Sequence, residues 1–165
     1  MNFYQDLGYL ILGTRLKRLS DTFLNDVNKF YLQLGVEFDA SWFPIFYLLG
    51  RKNKLTIKEI ADTLQVSHSA VSQLVTSLQQ KGYLKVQTSA TDARAKQVTL
   101  SAKGTQRLLQ IQPVWLTLQQ TMTDLVENNE LVEKLLPALL NIESALAEKS
   151  LLNRLEQQYQ VFESK

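Results

Sequence analysis

At Gly82 the hydrophobic period of this chain changes, and no other feature narrows its architecture as much. Before Gly82, apolar residues recur every three or four positions; after it, Leu84 and Val86 alternate with Lys85 and Gln87, and Val98 and Leu100 alternate with Gln97 and Thr99. The first spacing gathers apolar side chains on one face of a helix, the second on one face of a strand. The chain is therefore mainly α with a small β-hairpin. The connection from Thr88 to Lys96 is small and polar and reads as an exposed loop.

The helices before the switch carry their own punctuation. Leu16, Leu19, Phe23, Val27, Phe30 and Leu34 are spaced as one helix face, closed by Gly35. A second helix is expected from Ser41 as N-cap, with Pro44 in its first turn and Trp42, Phe43, Phe46 and Tyr47 along it. Thr56 and Glu59 form a capping box that opens a third helix running to about Leu64, with Ala61 small enough for another helix to cross closely. Ser67 caps a fourth that runs to Lys81 and stops at Gly82. Only three or four residues join these last two helices. After the hairpin, Ser101 caps a long helix through about Glu127, which Pro113 should bend. A final helical stretch from about Glu130 carries Leu131, Leu135, Leu139, Ile142 and Leu146 and extends past Ser150 towards Phe162.

Charge is uneven along the 165 residues, whose formal net charge is +2. From Arg51 to Arg107 there are ten basic side chains and three acidic ones, giving +7, whereas residues 1–50 carry −1 and residues 108–165 carry −4. Such a basic middle third suits a surface that neutralises phosphates, although a solvated face would also be charged. There is no cysteine, which excludes disulfides, thiolate metal sites and thiol redox chemistry. No stretch is apolar for the eighteen or so residues that would span a bilayer, and no signal peptide is recognisable, so no membrane association and a cytoplasmic location are expected.

Helix, tight turn, helix and hairpin make a winged helix-turn-helix, whose second helix can enter the major groove of DNA. In that helix Val71, Leu74, Val75 and Leu78 would face inward, leaving Ser69, Ser72, Gln73, Thr76 and Gln80 outside. An ordinary solvated helix is filled with Glu and Lys; this outer side is polar and uncharged, and no acid occurs between Asp62 and Asp92. Short polar groups can bond base edges without repelling phosphate. The candidate DNA-binding residues are Thr56, Ser67, His68, Ser69, Ser72, Gln73, Thr76, Arg94 and Lys96. Arg94 would reach the minor groove with Asp92 bracing it, and Lys96 would contact phosphate. His68, the single histidine, is either a DNA contact in the first turn or a solvated or packing residue; a metal site would lack partner ligands.

The run from Leu55 to Gly104 resembles the MarR family of transcription regulators, through the Asp92-x-Arg94 wing signature and the Leu100-Ser101-x-x-Gly104 entry to the next helix. Residues 12–23 (LGTRLKRLSDTF), 38–49 (FDASWFPIFYLL) and 67–73 (SHSAVSQ) are most similar to a MarR branch often fused to an acetyltransferase domain, which is not expected in this chain. The resemblance implies a single MarR-like domain over 1–165. In it, residues 1–36 and 105–165 supply dimerisation helices and residues 41–104 form the DNA-binding core. It implies a homodimer over a palindromic site. The apolar residues of the terminal helices, Leu7, Leu10, Ile11, Leu151, Leu152 and Leu155, are more than one small subunit could bury. Two residues depart from the family pattern. Gln65 occupies the turn where glycine is common, which calls for a positive φ costing about 1 kcal/mol or a different turn. Gln73 stands where arginine is frequent, which favours adenine over guanine.

The function implied is a DNA-binding regulator, a repressor on a palindromic operator; the alternative is a winged-helix protein-interaction module that has lost DNA binding. Family members often bind small aromatic effectors, for which Arg15, Trp42, Phe46 and Tyr47 are candidates, with Arg18 near by; core packing is the competing role of the aromatics. No cofactor is expected. With no glycine-rich phosphate loop, no cysteine and one histidine, the chain offers no catalytic group, and no enzyme is expected.

Overall fold

Among the described residues three helices end in the same hydrogen-bonded motif, and those three endings set the path of the chain. The computed structural model describes residues 3–88, 96–127 and 129–163. The chain forms two compact units, residues 1–114 and 115–165.

In the first unit a short helix α1 (Phe3–Asp6) and a 3-10 turn (Gly8–Ile11) lead into α2 (Leu12–Gln33). Beyond α2, Gly35 takes φ +66°, its N–H donates to Leu32 O, and Val36 N–H donates to Tyr31 O. This pair of bonds satisfies carbonyls that a helix end otherwise leaves open. The next helix, α3 (Phe43–Lys52), is preceded by a 3-10 turn at Ala40–Trp42. Ser41 is not its cap: the Ser41 N–H and hydroxyl both donate to Asp39 Oδ1, at 2.8 and 2.6 Å, so Asp39 starts the turn. A carboxylate that accepts two bonds turns the serine hydroxyl from acceptor to donor. Pro44 sits in the first turn of α3 as the sequence indicates.

A short strand β1 (Lys54–Thr56) follows, then α4 (Ile57–Leu64) and α5 (His68–Gln80), and then β2 (Leu84–Thr88) and β3 (Lys96–Leu100). The sheet order is β1-β3-β2, both pairings antiparallel, with Leu55 opposite Val98 and Val98 opposite Val86. The alternation that marks β2 and β3 could not reveal β1, because three residues are too few to show a period. Thr56 belongs to both elements: it ends the strand, and at φ −81°, ψ 158° it is also the N-cap of α4. The strands that follow Gly82 extend to Thr88 and from Lys96, and the connection between them lies outside the described residues.

The core of this unit joins Ile45, Phe46 and Leu49 of α3 to Ile57, Ile60 and Ala61 of α4 and Val71, Val75 and Leu78 of α5. Leu55, Leu84 and Val98 close it from the sheet. Phe38 is the hub of an aromatic cluster, edge-on to Tyr31, Trp42 and Phe46 at 5.1, 5.4 and 5.0 Å between centroids. Helix α6 (Ala102–Glu127) begins at the N-cap Ser101, whose Oγ accepts from Gly104 N–H, and it buries Leu108, Ile111 and Val114. Pro113 lies inside it, where a proline removes one backbone donor.

The second unit contains the end of α6 and three further helices, α7 (Glu130–Glu133), α8 (Leu135–Glu148) and α9 (Leu151–Glu163). The helical stretch continues past Ser150, as its periodicity implies, but in pieces. Lys149 is extended (φ −145°, ψ 117°), Ser150 Oγ accepts from Asn153 N–H, and Arg154 reaches back to Ala145 O and Lys149 O. A serine cap restarts the helix where hydrophobic period alone sees no break.

Helix α4 ends in the same motif as α2 and α5, but with a glutamine in the left-handed position. Gln65 has φ 54°, ψ 38°, and Val66 N–H donates to Ala61 O at 3.2 Å. Gly82 holds the matching place after α5, at φ +79°, with Tyr83 N–H on Leu78 O. The Cβ of any other residue crowds the following carbonyl oxygen in this backbone, at a cost of about 1 kcal/mol, and glycine removes that cost. Gln65→Gly should therefore stabilise the protein by up to about 1 kcal/mol, partly offset by the extra freedom glycine gives the unfolded chain. The melting temperature should rise by about 2 °C; a fall would mean that the Gln65 side chain contributes more than its strain costs.

Candidate nucleic-acid interface

Helices α4 and α5 pack against each other across the short turn from Gln65 to Ser67, which makes α4 the supporting helix and α5 the presented one. Val71, Val75 and Leu78 fix the inner side of α5. At 100° per residue the positions opposite that side are 69, 73, 76 and 80. Ser69, Gln73, Thr76 and Gln80 are all exposed, and so are His68 and Ala70 in the first turn. Ser72 and Leu74 are half-buried at the margins. The exposed side of α5 thus carries no acid and no cation between Ser67 and Gln80.

Hydrogen bonding sorts these residues further. Ser67 Oγ accepts from Ala70 N–H at 3.2 Å, which caps α5 and leaves the hydroxyl hydrogen for an outside acceptor. The N-terminal amides of α5 also favour an anion such as a phosphate. Thr56 is bound inward: its Oγ1 accepts from Glu59 N–H at 3.1 Å and donates to Glu59 Oε2 at 2.8 Å, while its own N–H donates to the same carboxylate oxygen at 2.7 Å. This closed box holds the Glu59 carboxyl below the usual carboxylate range, chiefly through the Thr56 backbone bond, then its hydroxyl bond, with a smaller pull from Lys52. Thr76 Oγ1 donates to Ser72 O at 2.8 Å, so its hydrogen is also committed to the protein. His68 is in the first turn, on the flank of the ridge that Ser72 shares.

The sheet contributes a second polar surface that the sequence reading passed over. Leu55, Val98, Val86 and Leu84 share the inner side, so Lys54, Thr99 and Lys85 stand in one cross-strand row on the outer side, with Thr56, Gln97 and Gln87 in the next. Lys54, Lys85 and Gln87 are exposed, as is Lys96 at the end of β3 nearest the hairpin connection. The register that places Lys54 and Lys85 in one row, on either side of Thr99, depends on β1, which was invisible in sequence. Asp92 and Arg94 lie outside the described residues.

The residues considered for an aromatic effector are shared out among different surroundings. Phe46 is fully buried between Phe38 and Tyr83, and Trp42 is half-buried against Phe38 and Tyr83 with Lys81 Nζ over its ring. Tyr47 is exposed, beside Phe43 and under the Arg51 guanidinium. Arg15 is exposed on α2, and Arg18 lies over the Tyr4 ring. Among the described residues no group of three or more His, Asp or Glu side chains is placed to hold a metal ion. No helix among them is long and apolar enough to cross a membrane.

A two-helix reader backed by a three-stranded antiparallel sheet, with β2 and β3 forming the wing, is a winged helix-turn-helix. A model of the MarR family matches residues 36–95. No curated protein matches the chain. Among solved structures the fold is similar to S. aureus MepR in its DNA complex, with a TM-score of 0.67 and 20% identity, covering 82% of this chain and 97% of that one. It is similar to the M. tuberculosis transcriptional regulator MOSR in complex with DNA (TM-score 0.65, 20% identity, 80% and 95% covered). A mutant MarR from E. coli complexed with operator DNA gives a TM-score of 0.62 at 20% identity, with 82% and 95% covered. These likenesses establish the fold.

Proposed function

We propose that this protein is a DNA-binding transcription regulator that acts as a homodimer and represses by occupying a palindromic operator. The observation that carries the reading is the exposed side of α5, polar and free of charge across thirteen residues in the most basic third of the chain. Glutamine and serine there can bond base edges, while the surrounding cations neutralise phosphates. The DNA present with MepR, MOSR and MarR supports it by analogy of fold. A twofold pair of such modules would place its recognition helices in major grooves about 34 Å apart. Release by a small aromatic effector belongs to the same proposal, with Trp42, Tyr47 and Arg15 as the residues having surface left for one.

Selection of bound duplexes from a random pool at two salt concentrations tests the reading. A palindromic consensus and an affinity that falls steeply with salt are expected. Failure to bind any duplex at low ionic strength would overturn it. Arg94, the basic residue of the wing signature, should matter on the selected site: Arg94→Ala is expected to weaken binding by about 1 to 3 kcal/mol without lowering the melting temperature. An unchanged mobility-shift titration would remove Arg94 from the interface.

A further inference from the structure

Ala70, Gln73 and Thr76 stand three residues apart on the exposed side of α5, and residues at this spacing are neighbours on a helix surface. Only Gln73 ends in a hydrogen-bonding group that is free to leave the helix. Ala70 presents a methyl. Thr76 looks polar in sequence, yet its hydroxyl is turned back to the Ser72 carbonyl, so the group it offers outward is its methyl. The row therefore reads methyl, amide, methyl, at positions where a merely solvated helix would place Glu or Lys.

Each of these groups has a base-edge partner in the major groove. A glutamine amide pairs with N6 and N7 of adenine, and a protein methyl packs on the 5-methyl of thymine, the one apolar group that groove displays. Three residues rise about 4.5 Å along a helix, against about 3.4 Å between stacked base pairs. The two methyls thus fall about one base pair to either side of the amide. We infer that α5 reads an A·T-rich half-site, in which Gln73 takes an adenine while Ala70 and Thr76 each pack on the 5-methyl of a thymine in a flanking base pair. This rests on α5 being the recognition helix and adds the class of sequence it recognises.

Deoxyuridine tests it, because replacing thymine with uracil deletes the 5-methyl and leaves every hydrogen bond in place. On the selected operator, each thymine of the half-site is replaced in turn, and the affinity ratio of thymine to uracil duplex is measured for the full-length protein. Two positions should show a loss of roughly fourfold, the worth of one buried methyl-sized group. Ala70→Gly should abolish the loss at one of them, and Thr76→Ser, which keeps the hydroxyl bond to Ser72, should abolish it at the other. A ratio within one protein does not depend on how much of a variant is folded. Specific binding with uracil tolerated throughout, or penalties unchanged in both variants, would overturn the A·T reading and leave DNA recognition by α5 standing. Failure to bind any duplex would overturn both.

Discussion

Gly104→Ala should lower the stability of this protein by about 3 kcal/mol or more, a large share of the 5 to 15 kcal/mol of a typical domain. A Cβ at Gly104 would lie 2.1 Å from the Tyr83 carbonyl oxygen, 3.1 Å from its carbon and 3.3 Å from Leu100 Cδ2. The carbonyl has nowhere to go. Tyr83 O accepts from Ser101 N–H, Tyr83 N–H donates to Leu78 O, and Ser101 Oγ donates to Gly82 O, so one side of the joint cannot move without breaking bonds to the other. The Tyr83 ring is fully buried, its hydroxyl on Glu37 O and Lys103 Nζ above its face. A contact of 2.1 Å puts the overpacking at or above the top of the usual range of about 1 to 3 kcal/mol, and at least one lost hydrogen bond, about 1 kcal/mol, offsets the better helix propensity of alanine, roughly 1 kcal/mol. Thermal unfolding should show a midpoint lower by about 6 to 12 °C. Gly50→Ala provides the contrast, since its Cβ would meet only the Leu108 side chain, at 2.8 Å, which can rotate away. Its cost should be nearer 1 kcal/mol. Equal melting of the two variants would show that the Tyr83 backbone yields as easily as a leucine rotamer.

Legibility in the sequence followed how local each signal is. The Thr56 and Glu59 box, the Ser67 cap and the stops at Gly35 and Gly82 were all readable, because each is satisfied within one helical turn. Gln65 was legible as a misfit, and the backbone there does take the strained conformation that its position implies. Asp39 displaced Ser41 as a cap because two candidate acceptors stood two residues apart, and sequence cannot rank them without the geometry. Strand β1 depends on a partner more than forty residues away in the chain, with Leu55 opposite Val98, so it left no local period. Gly104 reads in sequence as one more residue of a family-like entry motif; only the approach of Tyr83 shows why it carries no side chain. In the candidate interface, exposure of Ser69 and Gln73 followed from periodicity, whereas the inward turn of the Thr76 hydroxyl and the meaning of Ala70 required coordinates. An alanine in a helix carries no signal of its own until its surroundings show that it is not packed.

Leu19→Glu combined with Phe23→Glu should convert the protein from dimer to monomer and cost it at least about 100-fold in affinity for a palindromic duplex, the scale on which linking two sites raises affinity. Helix α2 is 22 residues long with its apolar row in contact with water: Leu16, Leu19, Phe23 and Phe30 remain between 38% and 45% exposed. In the second unit Leu151, Leu152 and Leu155 of α9 remain between 58% and 63% exposed. Burying one large apolar side chain is worth about 1.5 to 3 kcal/mol, so a subunit that leaves so many in solvent gains by pairing. A second copy suits this face because the palindromic operator proposed above would need a twofold reader, and the apolar rows flank α4 and α5 in sequence on both sides. Carboxylates at positions 19 and 23 would have to be desolvated unpaired in such an interface, yet on a free helix surface they would cost almost nothing. Sedimentation velocity should therefore report a dimer for the wild type and a monomer for the variant. Affinity for a duplex carrying one half-site should stay the same within about threefold, since α5 is untouched. A wild-type monomer at micromolar concentration, or a variant that remains dimeric, would sink the arrangement, and the apolar face of α2 would then need another partner to cover it.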